Sequence, residues 1–420
     1  MKLRTCFCAC LLVGSAAGGS SLVWAQSVGE PPRQPMAALS AASLREAVEA
    51  AWQRAVPMQE ASAQARRARA DQISAGGWLP LPPAVEVGQL HDRAVNARSG
   101  RETEVALAVP LWLPGQRQAR GDAADAGLAL AEAAAATGKL RIAGQDRELA
   151  WRLVLLDAEL SVARRQRDYL GRLADDVDRR VHAGDLARTD ALAARAELLE
   201  ARGTLSEVEQ RLVASRSQWV TLTGLDSMPP FPASRLDMPD STVASEHPEL
   251  RLATHAVDRA QKRIEVVERS RRDPPELRVR YRDESSPLSG ASQRGVGVAI
   301  RIPFGPAGRN APLEAAAQGD LDVADTELLR LRERLNADVE VAKAGLRRAR
   351  EQLQGARTRA ELQQERGRLV DASFKAGETS LPEFLRVINA ANQAETALAR
   401  QQATVGLAGA QLEQALGMLP

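Results

Sequence analysis

One stretch of this chain occurs twice. From Val181 it reads VHAGDLARTDALAARAELLEARG, and from Phe374 it reads FKAGETSLPEFLRVINAANQAET. In each copy a glycine (Gly184, Gly377) is followed by an acidic residue (Asp185, Glu378), a short polar patch and a long Ala/Leu-rich run. The two glycines are 193 positions apart, and the same shift carries Gly224 to Gly417 and Pro110 to Pro303. A shift held over so much chain marks an internal duplication, so the fold must be built from two similar halves.

Composition says what kind of halves these are. Aromatic residues make up only 3% of the 420 positions, and Ala, Leu, Arg, Glu and Gln dominate. That balance suits long helices packed through small side chains rather than a thick globular core. The 56 basic and 54 acidic residues are interspersed, with a formal net charge of +2 and no basic block, so no nucleic-acid partner is expected.

Residues 1–25 read as a secretory signal: a charged start, an apolar run, and Val23-Trp24-Ala25 ending in a small residue. Cys6, Cys8 and Cys10, the only cysteines, lie within it, so the exported chain is expected to hold no disulfide and no thiolate metal site. No later run of about 20 apolar residues could cross a bilayer as a helix. Residues 26–42, rich in Pro, Ala and Ser, read as a flexible leader.

The first repeat is expected over 43–225 and the second over 247–418, joined by a proline-rich linker at 226–246. Ser43-Leu44-Arg45-Glu46 forms a capping-box pattern at a helix start. Pro57 interrupts the periodicity, and a second helix is expected to end near Ile73. In the second half, Leu250, Ala253, Val257, Ala260, Ile264 and Val267 keep the three-four spacing of a coiled-coil seam. Each half then changes to period two, within about 84–111 and 276–303. Leu277, Val279 and Tyr281 alternate with Arg278, Arg280 and Arg282, and Val296, Val298, Ile300 and Ile302 alternate with Gly297, Ala299 and Arg301. Val85, Val87, Val105, Leu107, Val109 and Leu111 form a weaker version. Polar loops at His91–Glu102 and Asp283–Arg294 would make each pair an antiparallel hairpin. Proline and glycine follow, and then very long helical stretches at about 117–180 and 313–373, each roughly 90–100 Å at 1.5 Å per residue.

Four strands with one apolar face cannot stand alone in lipid, because each unpaired edge group costs on the order of several kcal/mol. Membrane barrels begin at about eight strands. One chain must therefore share its barrel with copies of itself, and counting strands does not choose between two copies and three.

The doubled helix–strand–strand–helix–turn–helix unit, the repeated x-x-A-G-[DE] turn, and the phrases VALAVPLWLPGQR and VGVAIRIPFGPAGR resemble outer-membrane efflux proteins of the TolC family, over about residues 43–418. The resemblance implies a mainly α fold with a small β part. Three copies would form a twelve-stranded barrel across the outer membrane and a long α-helical barrel through the periplasm. It implies as partners outer-membrane lipid, a periplasmic adaptor (membrane fusion protein) and an inner-membrane RND-type pump. The passages Leu111–Arg120 and Pro303–Asn310 are similar to the heavy-metal cation branch (cobalt-zinc-cadmium type). Multidrug efflux and type I secretion share the fold. A periplasmic coiled-coil adaptor is the rival of another class, but it would carry one helical hairpin rather than two.

On that resemblance, Gly184, Asp185, Gly377 and Glu378 are expected at periplasmic tips where an adaptor docks. Glu383 matches the position of a gating carboxylate, with Glu378 nearby, and Arg386 stands where a second acidic residue is usual. From the residues alone, Ser380-Leu381-Pro382-Glu383 reads equally as a capping box. Arg278, Arg280, Arg282 and Arg301 would line the lumen if the apolar strand face meets lipid. Trp78, Trp112, Tyr281 and Phe304 are the aromatics placed to form interface girdles. The histidines (His91, His182, His247, His255) are dispersed. No nucleophile–base set, phosphate loop or metal cluster is visible, so neither catalysis nor a cofactor is expected.

Overall fold

The structure, a computed structural model, describes residues 43–93, 99–227, 246–285, 292–305 and 307–420. The expected signal segment and leader, and all but the ends of the expected linker, lie outside the described residues.

The first half comprises α1 (Leu44–Arg54), α2 (Val56–Gly76), β1 (Ala84–Arg93), β2 (Ser99–Pro110), α3 (Gln116–Ala183) and α4 (Arg188–Thr223). The second comprises α5 (Pro248–Arg269), β3 (Glu276–Ser285), β4 (Ser292–Arg301), a 3₁₀ turn at Ala307–Arg309, α6 (Ala311–Lys375) and α7 (Leu381–Ala415). The duplication persists in detail: α4 begins at 188 and α7 at 381, again 193 apart. Gly184, Gly224, Gly377 and Gly417 all take positive φ, the left-handed conformation that only glycine adopts cheaply at a helix end.

The capping box at α1 forms: Ser43 N donates to Glu46 Oε2 at 2.7 Å, and Glu46 N donates to Ser43 Oγ at 3.3 Å. Pro57 falls in the first turn of α2, where its missing N–H has no partner to lose, so it starts a helix after the extended Ala55. The helix runs three residues past Ile73. The polar loops are shorter than their composition implies. His91, Asp92 and Arg93 pair with Arg101, Gly100 and Ser99, and Asp283, Glu284 and Ser285 pair with Arg294, Gln293 and Ser292. Backbone pairing continues there because amides need partners whatever side chains they carry.

The two hairpins join through β2 and β3 into one antiparallel sheet of order β1-β2-β3-β4. Below it α3 packs on α4, α6 packs on α7, and α3 meets α7 between them. Nearer the sheet the order is α2, α3, α5, α6. The chain is thus a curtain with two unlike edges: α2, α4 and β1 on one side, α6 and β4 on the other. The seam of α5 is only partly covered within one chain, with Ala260 its one buried residue.

The core is a string of small clusters, not one mass. Leu149, Leu153, Leu156 and Leu160 pack with Val208, Leu212 and Trp219. Val339, Leu346 and Ala349 pack with Val405, Ala408 and Leu412. These clusters are repeat counterparts, and one position breaks the match. The counterpart of buried Val339 is Asp146, which is fully buried with neither carboxylate oxygen hydrogen-bonded among the described residues. Burial pushes its pKa up to about 7. The folded chain therefore holds this proton more tightly than the unfolded one. The stability cost is absent below about pH 4, grows as pH rises, and is complete above pH 7. Asp146→Val should raise the unfolding temperature of the purified protein, with a gain on the order of 1–4 kcal/mol at pH 8 and a smaller one at pH 5. An equal gain at both pH values would contradict this account.

Candidate functional site

Two regions carry the residues singled out above: the sheet and the pair of helical turns at the opposite end. On one sheet face the cross-strand register sets Val85, Leu107, Val279 and Val298 in one row and Val87, Val105, Tyr281 and Val296 in the next. All eight are exposed in the single chain. The other face carries the arginines. Arg278 meets Glu86 at 3.2 Å and Glu276 at 3.9 Å. Arg282 meets Glu102 at 2.8 Å and Glu284 at 3.1 Å, and Arg301 meets Glu276 at 3.5 Å. Arg280 lies over Gly297, where a Cβ would come within 2.9 Å of its Nε. Ala106 and Ala108, opposite Arg280 and Arg278, are buried beneath this layer. The small residues of this face are the room the guanidiniums need. Sequence reading missed the glutamates, whose only signal was that they share the arginines' alternation.

The two turns are built alike. Asp185 N donates to Arg180 O at 2.8 Å and Gly184 N to Val181 O at 3.1 Å. Shifted by 193, Glu378 N donates to Ser373 O at 3.0 Å and Gly377 N to Phe374 O at 3.1 Å. Gly184, Asp185, Gly377 and Glu378 are all exposed. The helices behind them form one block. Phe374 stacks on Phe384 with centroids 4.6 Å apart, and the Arg180 guanidinium lies 5.3 Å from the Phe374 ring centroid. Leu170, Leu173, Val177, Ala191 and Leu381 belong to the same buried cluster. Tyr169 Oη donates to Asp371 Oδ1 at 3.2 Å. Burial, with the Asp371 carboxylate beside it, raises the Tyr169 phenol above its usual range and keeps it a donor.

The capping box expected at Ser380 and Glu383 does not form. Ser380 is the N-cap of α7 but its side chain makes no capping bond. Glu383 turns instead to Arg386, at 2.5 Å, and to Arg366 on α6, at 3.7 Å. Its repeat counterpart Asp190 does bind the backbone, accepting from Ala187 N at 3.2 Å. The shorter Asp stays at the helix end, whereas the longer Glu reaches a guanidinium one turn on. Glu383 and Arg386 are therefore brought together within the chain, while Glu378 stays apart in the turn.

Among the described residues no group of three His, Cys, Asp or Glu side chains could hold a metal ion. None of the described helices is long and apolar enough to cross a membrane. What the geometry offers is a sheet with one apolar and one charged face, standing on a helical wall about 100 Å long.

Residues 241–418 match the family model described as "Outer membrane efflux protein". The matched stretch covers the second of the two repeats. The fold of the whole is that of the outer-membrane channels. The CusC transmembrane channel superposes with a TM-score of 0.74 at 15% identity, covering 89% of this chain and 92% of that one. The outer membrane protein VceC of Vibrio cholerae gives 0.68 at 14% identity, over 89% and 96%. The CmeC outer membrane channel of Campylobacter jejuni gives 0.72 at 15% identity, over 89% and 85%. In sequence, the cobalt-zinc-cadmium resistance protein CzcC of Cupriavidus metallidurans is 29% identical over 220 residues, 49% of this chain. The match spans about half the length of that curated relative, 51%.

The turn at Gly377 is backed by the Phe374–Phe384 stack. Phe384→Ala should cost about 3–5 kcal/mol. Trypsin should then cleave after Lys375 at a lower temperature than in the parent. Cleavage unchanged by the substitution would mean that the stack does not hold the turn.

Proposed function

We propose that the protein is the outer-membrane channel of a tripartite efflux system, a passive duct for heavy-metal cations. The observation that carries this reading is the curtain with two unlike edges. Joining α4, α2 and β1 of one copy to α6 and β4 of the next is a head-to-tail contact, and such a contact closes into a ring when the rotation between copies divides a full turn. A closed ring pairs every strand edge, turns the valine-rich rows toward lipid and encloses the arginine–glutamate face around water. Three copies give twelve strands, the homotrimer that the family resemblance implies.

In this arrangement the strands lie in the outer membrane and the helices reach through the periplasm. The turns at 182–190 and 375–383 form the rim for a periplasmic adaptor, which links the duct to an RND-type pump. Energy comes from the pump. Likeness to the cobalt-zinc-cadmium resistance protein supports metal cations as cargo over organic toxicants. The duct itself needs no metal ligand, because passage does not require binding.

Glu383 and Arg386 serve as the gate, with three copies of the pair near the axis. Their charge-assisted bond lies within α7, and the contact of Glu383 with Arg366 reaches across to α6. In single-channel recordings Glu383→Ala should raise conductance of the resting channel several-fold, and unchanged conductance would take Glu383 out of the gate. Cells lacking the gene should lose several-fold tolerance to cobalt, zinc or cadmium salts, restored by a plasmid copy. Sensitivity to organic toxicants with metal tolerance intact would overturn the cargo assignment.

A further inference from the structure

The two edges carry matching apolar seams. On α4, Leu192, Leu199, Val213 and Val220 lie on one seven-residue spacing, with Ser206 at the position between. On α6, Val341, Leu362 and Leu369 do the same, with Arg348 and Gly355 between. These seven apolar residues are 37–71% exposed in the single chain. Each seam lies on the far side of its helix from the packed face. Leu192 and Leu199 are two residues from buried Ala194 and Ala201, and Leu362 is two from buried Ala360, a turn of about 200°.

The duplication supplies the register. Within one chain α3 packs antiparallel on α7, and the numbers of partners there add up to nearly a constant. It is 559 for Glu159 with Arg400, 560 for Arg165 with Glu395, and 561 for Arg147 with Gln414. The repeat shift moves α3 onto α6 and α7 onto α4, adding 193 to one partner and removing it from the other. The sum is unchanged. A contact of α6 with α4 of a neighbouring copy, made as α3 meets α7, therefore pairs residues whose numbers also add up to about 560.

The exposed seams meet that condition. Leu192 with Leu369, Leu199 with Leu362, and Val220 with Val341 each add up to 561. Ser206 then faces Gly355, a rung of small residues that lets the helices approach, and Val213 faces the aliphatic stem of Arg348.

We infer that α4 of one copy packs antiparallel on α6 of the next in this register, repeating between chains the contact that α3 and α7 make within one. The partner surface is a second copy of this chain. The inference rests on the closed assembly proposed above and adds to it the residues that meet.

Cross-linking separates the two claims. Leu199→Cys and Leu362→Cys are placed together in the exported chain, which is freed of the segment that holds Cys6, Cys8 and Cys10, purified in mild detergent and oxidised. The pair should link chains into species of two and three chain masses. Either substitution alone should link none, because the contact joins unlike surfaces. Leu199→Cys with Leu369→Cys, one heptad out of step, should link at least tenfold less. Equal linking in the two pairs, or none in the first while light scattering still reports an oligomer, overturns the register and leaves the assembly standing. A monomer by light scattering overturns both.

Discussion

The unpaired backbone along the outer edges of β1 and β4 governs the rest of the molecule. A sheet of four strands has two such edges, and hydrocarbon provides nothing for their amides to bond. No choice of side chains removes that cost. Only another strand does, and within the described chain there is none left to supply it. The unlike helical edges below repeat the same demand in another form, through exposed leucines and valines rather than bare amides. Both demands would be met by one operation, the addition of a further copy on each side.

Inside the chain, α3 bears most of the organisation. It touches α1, α2, α4, α5 and α7 and so joins the two repeats. Its contact with α7 is more polar than the contact within either helical pair. Arg147 is buried against Gln414 Oε1 and Met418 O, both at 2.8 Å, and buried Glu159 receives Arg400. Such bonds are demanding in geometry, and they hold one helix at one height against the other. The leucine and alanine stripes of α3 with α4 tolerate more sliding, being less directional.

Much of this architecture is legible in the sequence, for physical reasons. A 193-residue shift survives because both halves meet the same neighbours. Long helices and short strands announce themselves by period, and the turn glycines by the left-handed backbone they alone accept. Side-chain partnerships are less legible. Arg278 and Glu86 stand 192 positions apart, and nothing local couples them. Glu383 follows a local capping pattern, yet its charge goes to arginines on α7 and α6 because a charged donor outbids a neutral amide. Asp146 looks like one more polar residue on a mixed helix. Its burial emerges only when Val339 is seen to hold the equivalent place.

The unbroken length of α3 has a mechanical consequence. At 68 residues it is a rod of about 100 Å with no proline to hinge it. A tilt of about 5° near the sheet carries the far end sideways by roughly 9 Å, from the same length. Because Arg180 and Phe374 clasp the two turns together, that displacement is delivered to both at once. A modest swing of the shaft thus becomes a wide displacement at its far end.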